Sequence, residues 1–279
     1  MILNTTILSW VTFIYFASAV FYILKMVTGK EFWGPLASFI SLAGLITHTF
    51  ALILRWFESY KMGIGHAPLS NLYESLIFFA WTIVLLYLVV EWRIKSRNLG
   101  AFVIPFAFLS IAYASFSPDV NSRIQPLIPA LQSNWLISHV ITCFFGYAAF
   151  TIACGLGLIY FLKGLGGGEK QISFLRFLPA REILDEISYH SIVIGFIFLT
   201  LGIVTGSVWA YSAWGSYWSW DPKETWSLIT WLIYAAMLHA RFVHGWRGKR
   251  MAAMSIIGFC SVVFTYLGVN YLEGLHSYF

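Results

Sequence analysis

The chain has 279 residues, of which 59% are hydrophobic and only 10% are charged. Because soluble domains carry about 25% charged residues, this composition excludes an ordinary soluble fold and predicts an all-α polytopic membrane protein. The net charge of +5 would suit a nucleic-acid partner, but the positions of the cations, described below, argue against one.

Apolar stretches near the ~20 residues needed to cross the hydrocarbon core of a bilayer predict about eight transmembrane helices. No positively charged region precedes the first stretch and no small-residue cleavage site follows it, so it is predicted to be a permanent span. The whole of 1–279 is predicted to form a single transmembrane domain. The predicted spans lie at about 7–27, 35–56, 71–91, 99–117, 135–162, 189–211, 222–242 and 252–272.

Lysine and arginine residues alternate with the predicted spans. All but four of the 17 follow the first, third, fifth or seventh helix, and the exceptions are Arg55, Lys61, Arg123 and Lys223. By the positive-inside rule, the loops after these odd-numbered helices are cytoplasmic, or on the equivalent side in a plastid. Both termini are therefore predicted to lie on the outer face, and the cations follow membrane topology rather than a nucleic-acid surface.

An outer loop at about 209–231 is exceptionally rich in tryptophan. One or two tryptophans would be explained by the preference of indole for the headgroup level, and an aromatic belt is the alternative interpretation. Six of them in one loop and the first turns of the next helix predict a stacking surface for a large flat ligand. They are Trp209, Trp214, Trp218, Trp220, Trp226 and Trp231.

No residue is predicted to be catalytic. Cys143, Cys154 and Cys260 fall inside predicted helices without a CxxC pair, so thiol chemistry is expected on another protein. Asp221 precedes Pro222 and is followed three residues later by Glu224, the pattern of a capping box that begins a helix. This structural role is sufficient to explain Asp221.

Histidines near the ends of predicted helices indicate that the flat ligand is haem. His139 lies four residues after Trp135, where the fifth helix enters from outside, and His276 follows the eighth helix on the same face. Two neutral imidazoles on one face are what a six-coordinate haem iron requires. The alternative is a pair of interfacial histidines that hydrogen bond headgroups or water.

A third histidine predicts a second, inner haem position. His239 lies roughly 26 Å further in than Pro222, close to the cytoplasmic boundary, at 1.5 Å per residue. His244 is about 140° around the same helix and is predicted not to point at the same iron. His48 is predicted to lie at a different depth, as a bonded interior histidine or as a residue on the haem route rather than as a ligand of this site. The missing inner ligand is therefore expected from a partner subunit.

Four segments of the sequence resemble one known family. WGSYWSWDPKETWSLITWLIYAAMLHARFVHGWRGKR and the later GFCSVVFTYLGVNYLEGLHSY are similar to the CcsA family of cytochrome c biogenesis proteins, also called ResC, with its tryptophan-rich WWD domain. GHAPLSNLYESLIFFAW and WLISHVITCFFGYAAF resemble upstream blocks of the same family. The resemblance covers most of the chain.

The resemblance implies a haem-binding and haem-translocating subunit of the System II cytochrome c synthase, which acts in complex with a partner called CcsB or ResB. It implies that haem b is the substrate, held at the outer face for thioether attachment to the CxxCH segment of apocytochrome c. The membrane would be the bacterial cytoplasmic membrane, or the thylakoid membrane if the chain is plastid-encoded. On matching positions the implied iron ligands are His139, His276 and His239, and the implied haem surface comprises Trp214, Trp218, Trp220, Asp221 and Trp226.

Three other functions compete with this one. A CcmC-like haem delivery protein also has a WWD loop between two histidines, but it normally has six spans and hands haem to a chaperone. A b-type haem electron-transfer protein would need paired histidines at matched depths, and the depths predicted here do not pair within the chain. A transporter without a cofactor would leave the three histidines unexplained.

Overall fold

The computed structural model describes residues 3–165 and 177–272, and all regular secondary structure in these ranges is helical. Short 3₁₀ turns at Arg97–Leu99, Pro129–Leu131 and Gly268–Tyr271 adjoin the longer helices. The α-helices of the described ranges are α1 (Leu3–Thr28), α2 (Trp33–Lys61), α3 (Leu72–Ile94), α4 (Gly100–Phe116), α5 (Asn134–Leu165), α6 (Arg181–Trp214), α7 (Pro222–His244) and α8 (Lys249–Tyr266).

Seven of these helices, α1 to α7, are long and apolar enough to cross a membrane, with α4 counted together with the 3₁₀ turn before it. The remaining helix, α8, has 18 residues and is not among them. The chain is therefore an all-α protein with several membrane spans, as predicted, and the predicted number of about eight is close to the number found. The outer position of both termini stays a prediction.

Helix boundaries differ most from the predictions at α6 and α8. α6 begins at Arg181 rather than near 189 and has 34 residues, about 51 Å at 1.5 Å per residue. It is therefore longer than the ~30 Å hydrocarbon core, and its polar first turns extend past the apolar stretch visible in the sequence. α8 ends at Tyr266, where a 3₁₀ turn replaces the last residues of the predicted span.

The chain divides into two compact units. The first comprises Met1–Leu127 and Leu162–Ala180, and the second comprises Ile128–Phe161 and Arg181–Phe279. Of the described residues, the second unit contains His139, His239 and the whole tryptophan-rich loop. The prediction of a single transmembrane domain stays a prediction.

Buried polar contacts hold the helices of the first unit together. Arg55 of α2 donates to Glu74 of α3 across 2.8 Å, and both side chains are 1% exposed. At the start of α3, Asn71 accepts from the main-chain N–H of Glu74, which caps the helix. Breaking such a buried ion pair costs about 3–5 kcal/mol, so the α2–α3 packing depends on it.

A second buried carboxylate joins three helices of this unit. Glu91 of α3 accepts from Tyr22 of α1 at 2.5 Å and from Tyr87 at 2.8 Å, and it also accepts from Ser38 of α2. Hydroxyl donors from several helices satisfy a charge that would otherwise be costly inside a membrane.

The first unit also contains His48, which is fully buried on α2. Its Nδ1 shares a 3.2 Å hydrogen bond with the hydroxyl of Tyr15. His48 is therefore a bonded interior histidine, in agreement with the first of its two predicted roles.

In the second unit, Asp185 near the start of α6 binds two other parts of the chain. One carboxylate oxygen accepts from Arg241 of α7 at 2.7 Å, and the other accepts from the main-chain N–H of Gly248 at 2.8 Å. Arg241 also contacts Glu186 at 3.2 Å. These bonds fix the last turn of α7 and the turn that leads into α8.

Candidate functional site

The side chain of His139 is held in one tautomer. His139 lies on α5, half-buried, with its Nδ1 2.7 Å from the main-chain oxygen of Gly202 on α6. A carbonyl oxygen can only accept, so Nδ1 carries the hydrogen and the lone pair is on Nε2. This is the arrangement in which a histidine binds a metal through Nε2, because the bond at the other nitrogen orients the ring.

The ring of His139 also packs against an indole and a glycine of α6. Trp209 stacks on it with ring centroids 5.9 Å apart and planes 18° from parallel, and the indole N–H of Trp209 donates to the oxygen of Ala130 at 2.8 Å. On α6, a Cβ atom at Gly206 would come within 2.5 Å of His139 Nδ1. Only glycine at this position leaves room for the observed ring.

Gly202 and Gly206 are site residues that the sequence analysis did not identify. They are four residues apart and form a Gly-x-x-x-Gly pattern, which commonly marks close approach between membrane helices. This spacing was the available signal. It indicated a close helix contact, but not that the contact would accommodate an imidazole.

The six tryptophans divide into two groups. Trp209, Trp226 and Trp231 are engaged by the surrounding helices: Trp226 packs on Phe264 with centroids 4.2 Å apart, and Trp231 donates to Thr200 at 2.9 Å. These three contribute to the packing of the second unit.

Trp218 and Trp220 lie in the loop itself, and Trp214 is the last residue of α6. Trp214 meets Trp209 at 72° and Trp218 meets Trp220 at 87°. Such perpendicular pairs present ring faces and edges in turn rather than one continuous plane. Trp220 is 68% exposed with a φ of +60°, a backbone conformation that is uncommon for a bulky residue.

The start of α7 is built as predicted. The Asp221 side chain accepts from the main-chain N–H of Lys223 at 2.9 Å, and Glu224 accepts from the main-chain N–H of Asp221 at 3.3 Å. Pro222 is the first helical residue. Glu224 also accepts from the main-chain N–H of Ser219 at 2.7 Å, so the capping box connects the loop to the helix.

The other predicted outer ligand, His276, lies outside the described residues, together with the rest of 273–279. The predicted pairing of His139 with His276 therefore stays a prediction. Lys223, in the first turn of α7, donates to the amide oxygen of Asn270 at 3.0 Å.

At the other end of α7, His239 and His244 are both exposed. Their ring centroids lie 6.1 Å apart, with the planes 77° from parallel. The prediction that they do not share an iron stays a prediction, but their rings are neighbours despite the 140° that separates their positions on the helix.

The described residues contain no group of three or more His, Cys, Asp or Glu that could enclose a bare metal ion. A haem iron needs only one or two axial nitrogens from protein. Within residues 3–165 and 177–272, the Nε2 of His139 is one such imidazole nitrogen.

Comparison with known protein families gives a match over most of the chain. Residues 69–276 match the model of the family described as cytochrome C assembly protein, a range that includes His139, His239 and His276.

Two relatives are named cytochrome c biogenesis protein CcsA. The one from Chlorella vulgaris is 42% identical over 95% of this chain and 93% of its own length. The one from Parasynechococcus marenigrum (strain WH8102) is also 42% identical, over 92% of this chain and 93% of its own length.

Among solved structures, the fold is similar to that of the cytochrome c heme lyase CcmF, with a TM-score of 0.69 and 16% sequence identity. The likeness covers 96% of this chain and 46% of that protein, so this chain spans about half of its length. At this identity the likeness concerns the fold.

Proposed function

Because the chain belongs to the cytochrome c assembly protein family, we propose that it is the haem-handling subunit of a membrane cytochrome c synthase. It binds haem b as a substrate and holds it at the outer face. There the haem meets the CxxCH segment of apocytochrome c and becomes attached to it by thioether bonds.

The observation that carries this proposal is the orientation of His139. The hydrogen bond to Gly202 and the stacked Trp209 hold the ring of His139 in place. The lone pair on Nε2 therefore points in a fixed direction. Fixed rings bind iron without first losing conformational freedom. His139 and His276 are the proposed outer axial ligands.

The tryptophan-rich loop is proposed to enclose the porphyrin. Trp214, Trp218 and Trp220 supply faces and edges for an apolar macrocycle. Trp226 and Asp221 support this aromatic surface from the first turns of α7, where Trp226 packs on Phe264 and Asp221 caps the helix.

His239 is the proposed ligand of an inner haem, which moves from there to the outer site. An exposed imidazole on a membrane helix is unfavourable unless it meets a polar group, another protein or a metal. We assign the opposite inner ligand to a CcsB/ResB-type partner subunit.

Attachment requires little acid–base chemistry from this chain. Each thiol S–H adds across a vinyl C=C bond, which forms one C–S and one C–H bond without a net change in electrons. The chain contributes by placing vinyl groups and thiols together, while the haem supplies the reactive groups. The histidine of CxxCH then displaces one holding imidazole and releases the product.

The membrane is either the bacterial cytoplasmic membrane or the thylakoid membrane. The similar proteins named above come from an alga and a cyanobacterium, which supports both possibilities.

The test is to purify the chain with and without its CcsB/ResB-type partner and to record pyridine haemochrome and reduced visible spectra. The variants are His139→Ala, His276→Ala and His239→Ala. His190→Ala is the matched control, because His190 is an exposed histidine that contacts Glu186 at 3.2 Å and has no proposed contact with haem.

We expect haem to co-purify with the native chain. If the two outer variants lose haem and recover it when imidazole is added, the result supports the outer site. If haem binding depends on the partner and is removed by His239→Ala, the result supports the inner site. Absence of haem under every condition, or haem retained by all three variants, would contradict the proposal.

A further inference from the structure

We propose that His244 is a transient first ligand, from which haem iron passes to His239 by exchange of one imidazole for the other. This proposal rests on the proposed function, in which His239 binds the inner haem, and it adds a route by which haem reaches that site.

The first argument is the proximity of the two rings. Five residues of regular helix separate their positions by about 7.5 Å along the axis and about 140° around it. Their ring centroids are nevertheless only 6.1 Å apart. Every side chain of a helix leans toward the N-terminus, so this lean is common to both residues, and their side-chain rotamers account for the short distance between the rings.

The second argument is that the end of α7 is fixed. His244 is the last helical residue, and Gly245 follows in the left-handed conformation with a φ of +63°. Arg241, between the two histidines in sequence, is buried and bound to Asp185 at 2.7 Å, and its guanidinium lies over the ring of Tyr189. Because Arg241 fastens this turn to α6, the backbone that carries the two exposed imidazoles is held in place.

The third argument excludes joint ligation. Two axial ligands of one haem lie on opposite faces of the macrocycle. His239 and His244 project from successive turns of one helix, and the porphyrin cannot pass between them without meeting the helix backbone. They can bind the same iron only one after the other.

The order of the two steps follows from position along α7. His244 lies at the end of the helix that the cation pattern predicts to be cytoplasmic. Haem entering from that side meets His244 first and His239 next. In the exchange one Fe–N bond forms as another breaks, so no electron, proton or further reactant is needed.

The experiment follows haem binding to the purified complex of this chain with its partner, after removal of bound haem, by stopped-flow absorbance at the Soret band. The probe is ferric haem in detergent. The variants are His244→Gln and His239→Gln, because glutamine keeps polarity and approximate size but is a poor iron ligand. His190→Gln is the matched control, since His190 is also an exposed histidine of the second unit.

We expect His244→Gln to slow loading of the inner site about tenfold while the final amount of haem bound stays close to that of the native complex. His239→Gln should remove the inner haem altogether, and His190→Gln should match the native complex in both respects. Added imidazole should restore the loading rate of His244→Gln.

Two results would overturn the proposal. Native loading rates in His244→Gln would show that His244 is not on the route. An equal loss of final haem in His244→Gln and His239→Gln, with unchanged rates, would make His244 a permanent ligand. Failure of the proposed function gives a different result, because the native complex would then bind no haem that depends on His239.

Discussion

At the scale of single residues, the main-chain oxygen of Gly202 decides which nitrogen of His139 can bind iron. The 2.7 Å bond to Nδ1 keeps the hydrogen there and leaves the lone pair on Nε2. Gly206, one turn further along α6, provides the space for the ring. The proposed ligand is thus oriented by two glycines, which have no functional side chain.

The substitution Gly206→Ala tests whether Gly206 makes room for the ring of His139. Its added Cβ would lie 2.5 Å from His139 Nδ1, so the ring must move and the bond to Gly202 must weaken. We expect haem affinity at the outer site to fall about tenfold, measured by haem titration of the purified complex.

The control for Gly206→Ala is Val204→Ile, which adds a carbon to the same helix at a residue that is 55% exposed. It should bind haem as the native protein does. Equal affinity in both variants would show that the ring of His139 is not constrained by Gly206.

At the scale of elements, the N-terminus of α7 joins the tryptophan-rich loop to a membrane helix. Asp221 and Glu224 satisfy main-chain N–H groups on both sides of the junction. The loop therefore enters the helix at a defined angle, and the tryptophans before and after the junction keep their relative positions.

Substitutions of Asp221 distinguish its capping role from a chemical role. Asp221→Asn keeps an oxygen that can accept from the helix, so stability and haem binding should both be retained. Asp221→Ala removes the cap and should lower the free energy of unfolding by about 1 kcal/mol. The measurement is thermal unfolding in detergent, together with haem content by pyridine haemochrome.

If Asp221→Asn loses synthase activity while its stability and haem content are unchanged, then the carboxylate acts in the reaction and capping is not its whole role. Coexpression with a c-type apocytochrome, followed by haem staining, measures that activity.

At the scale of the whole molecule, the distribution of cations predicts the orientation of the chain in the membrane. The turn between α1 and α2 contains Lys30, and Lys25 at the end of α1 bonds Glu31 of the same turn. That bond lowers the pKa of the Glu31 carboxyl below its ordinary value. The segment between α4 and α5 contains Arg123, one of the four cations on the opposite side.

Cysteine labelling tests this orientation. In a background without the three native cysteines, Arg123→Cys should react with a membrane-impermeant maleimide in intact cells or vesicles of known orientation. Lys30→Cys should react only after the membrane is permeabilised. The reverse pattern would invert the topology and place the tryptophan-rich loop on the inner side.

Several features follow from the sequence because they depend on local composition. Membrane helices need only enough consecutive apolar residues, and seven such helices are present among the described residues. The capping box at Asp221 is equally local, since all its bonds lie within five residues. The motifs that resemble the CcsA family are contiguous in the sequence, so the resemblance is also visible without the fold.

Other features required the tertiary structure because they join residues far apart in the chain. His139 and Gly202 are 63 positions apart, and nothing in the sequence indicates that a carbonyl of α6 accepts from the imidazole. Three tryptophans pack among the helices, and the other three lie at the end of α6 and in the loop after it. This separation likewise depends on which helices lie beside them.

The pairing of His239 with His244 shows the same limit within one helix. An ideal helix fixes the direction of each Cα–Cβ bond, and this predicts a separation of 140° around the helix. Side-chain rotation at the helix end, which Gly245 follows, nevertheless brings the ring centroids to 6.1 Å. The sequence by itself therefore determined the class, the spans and the candidate ligands. Packing decided how those ligands are oriented, because orientation is set by contacts that only the folded chain makes.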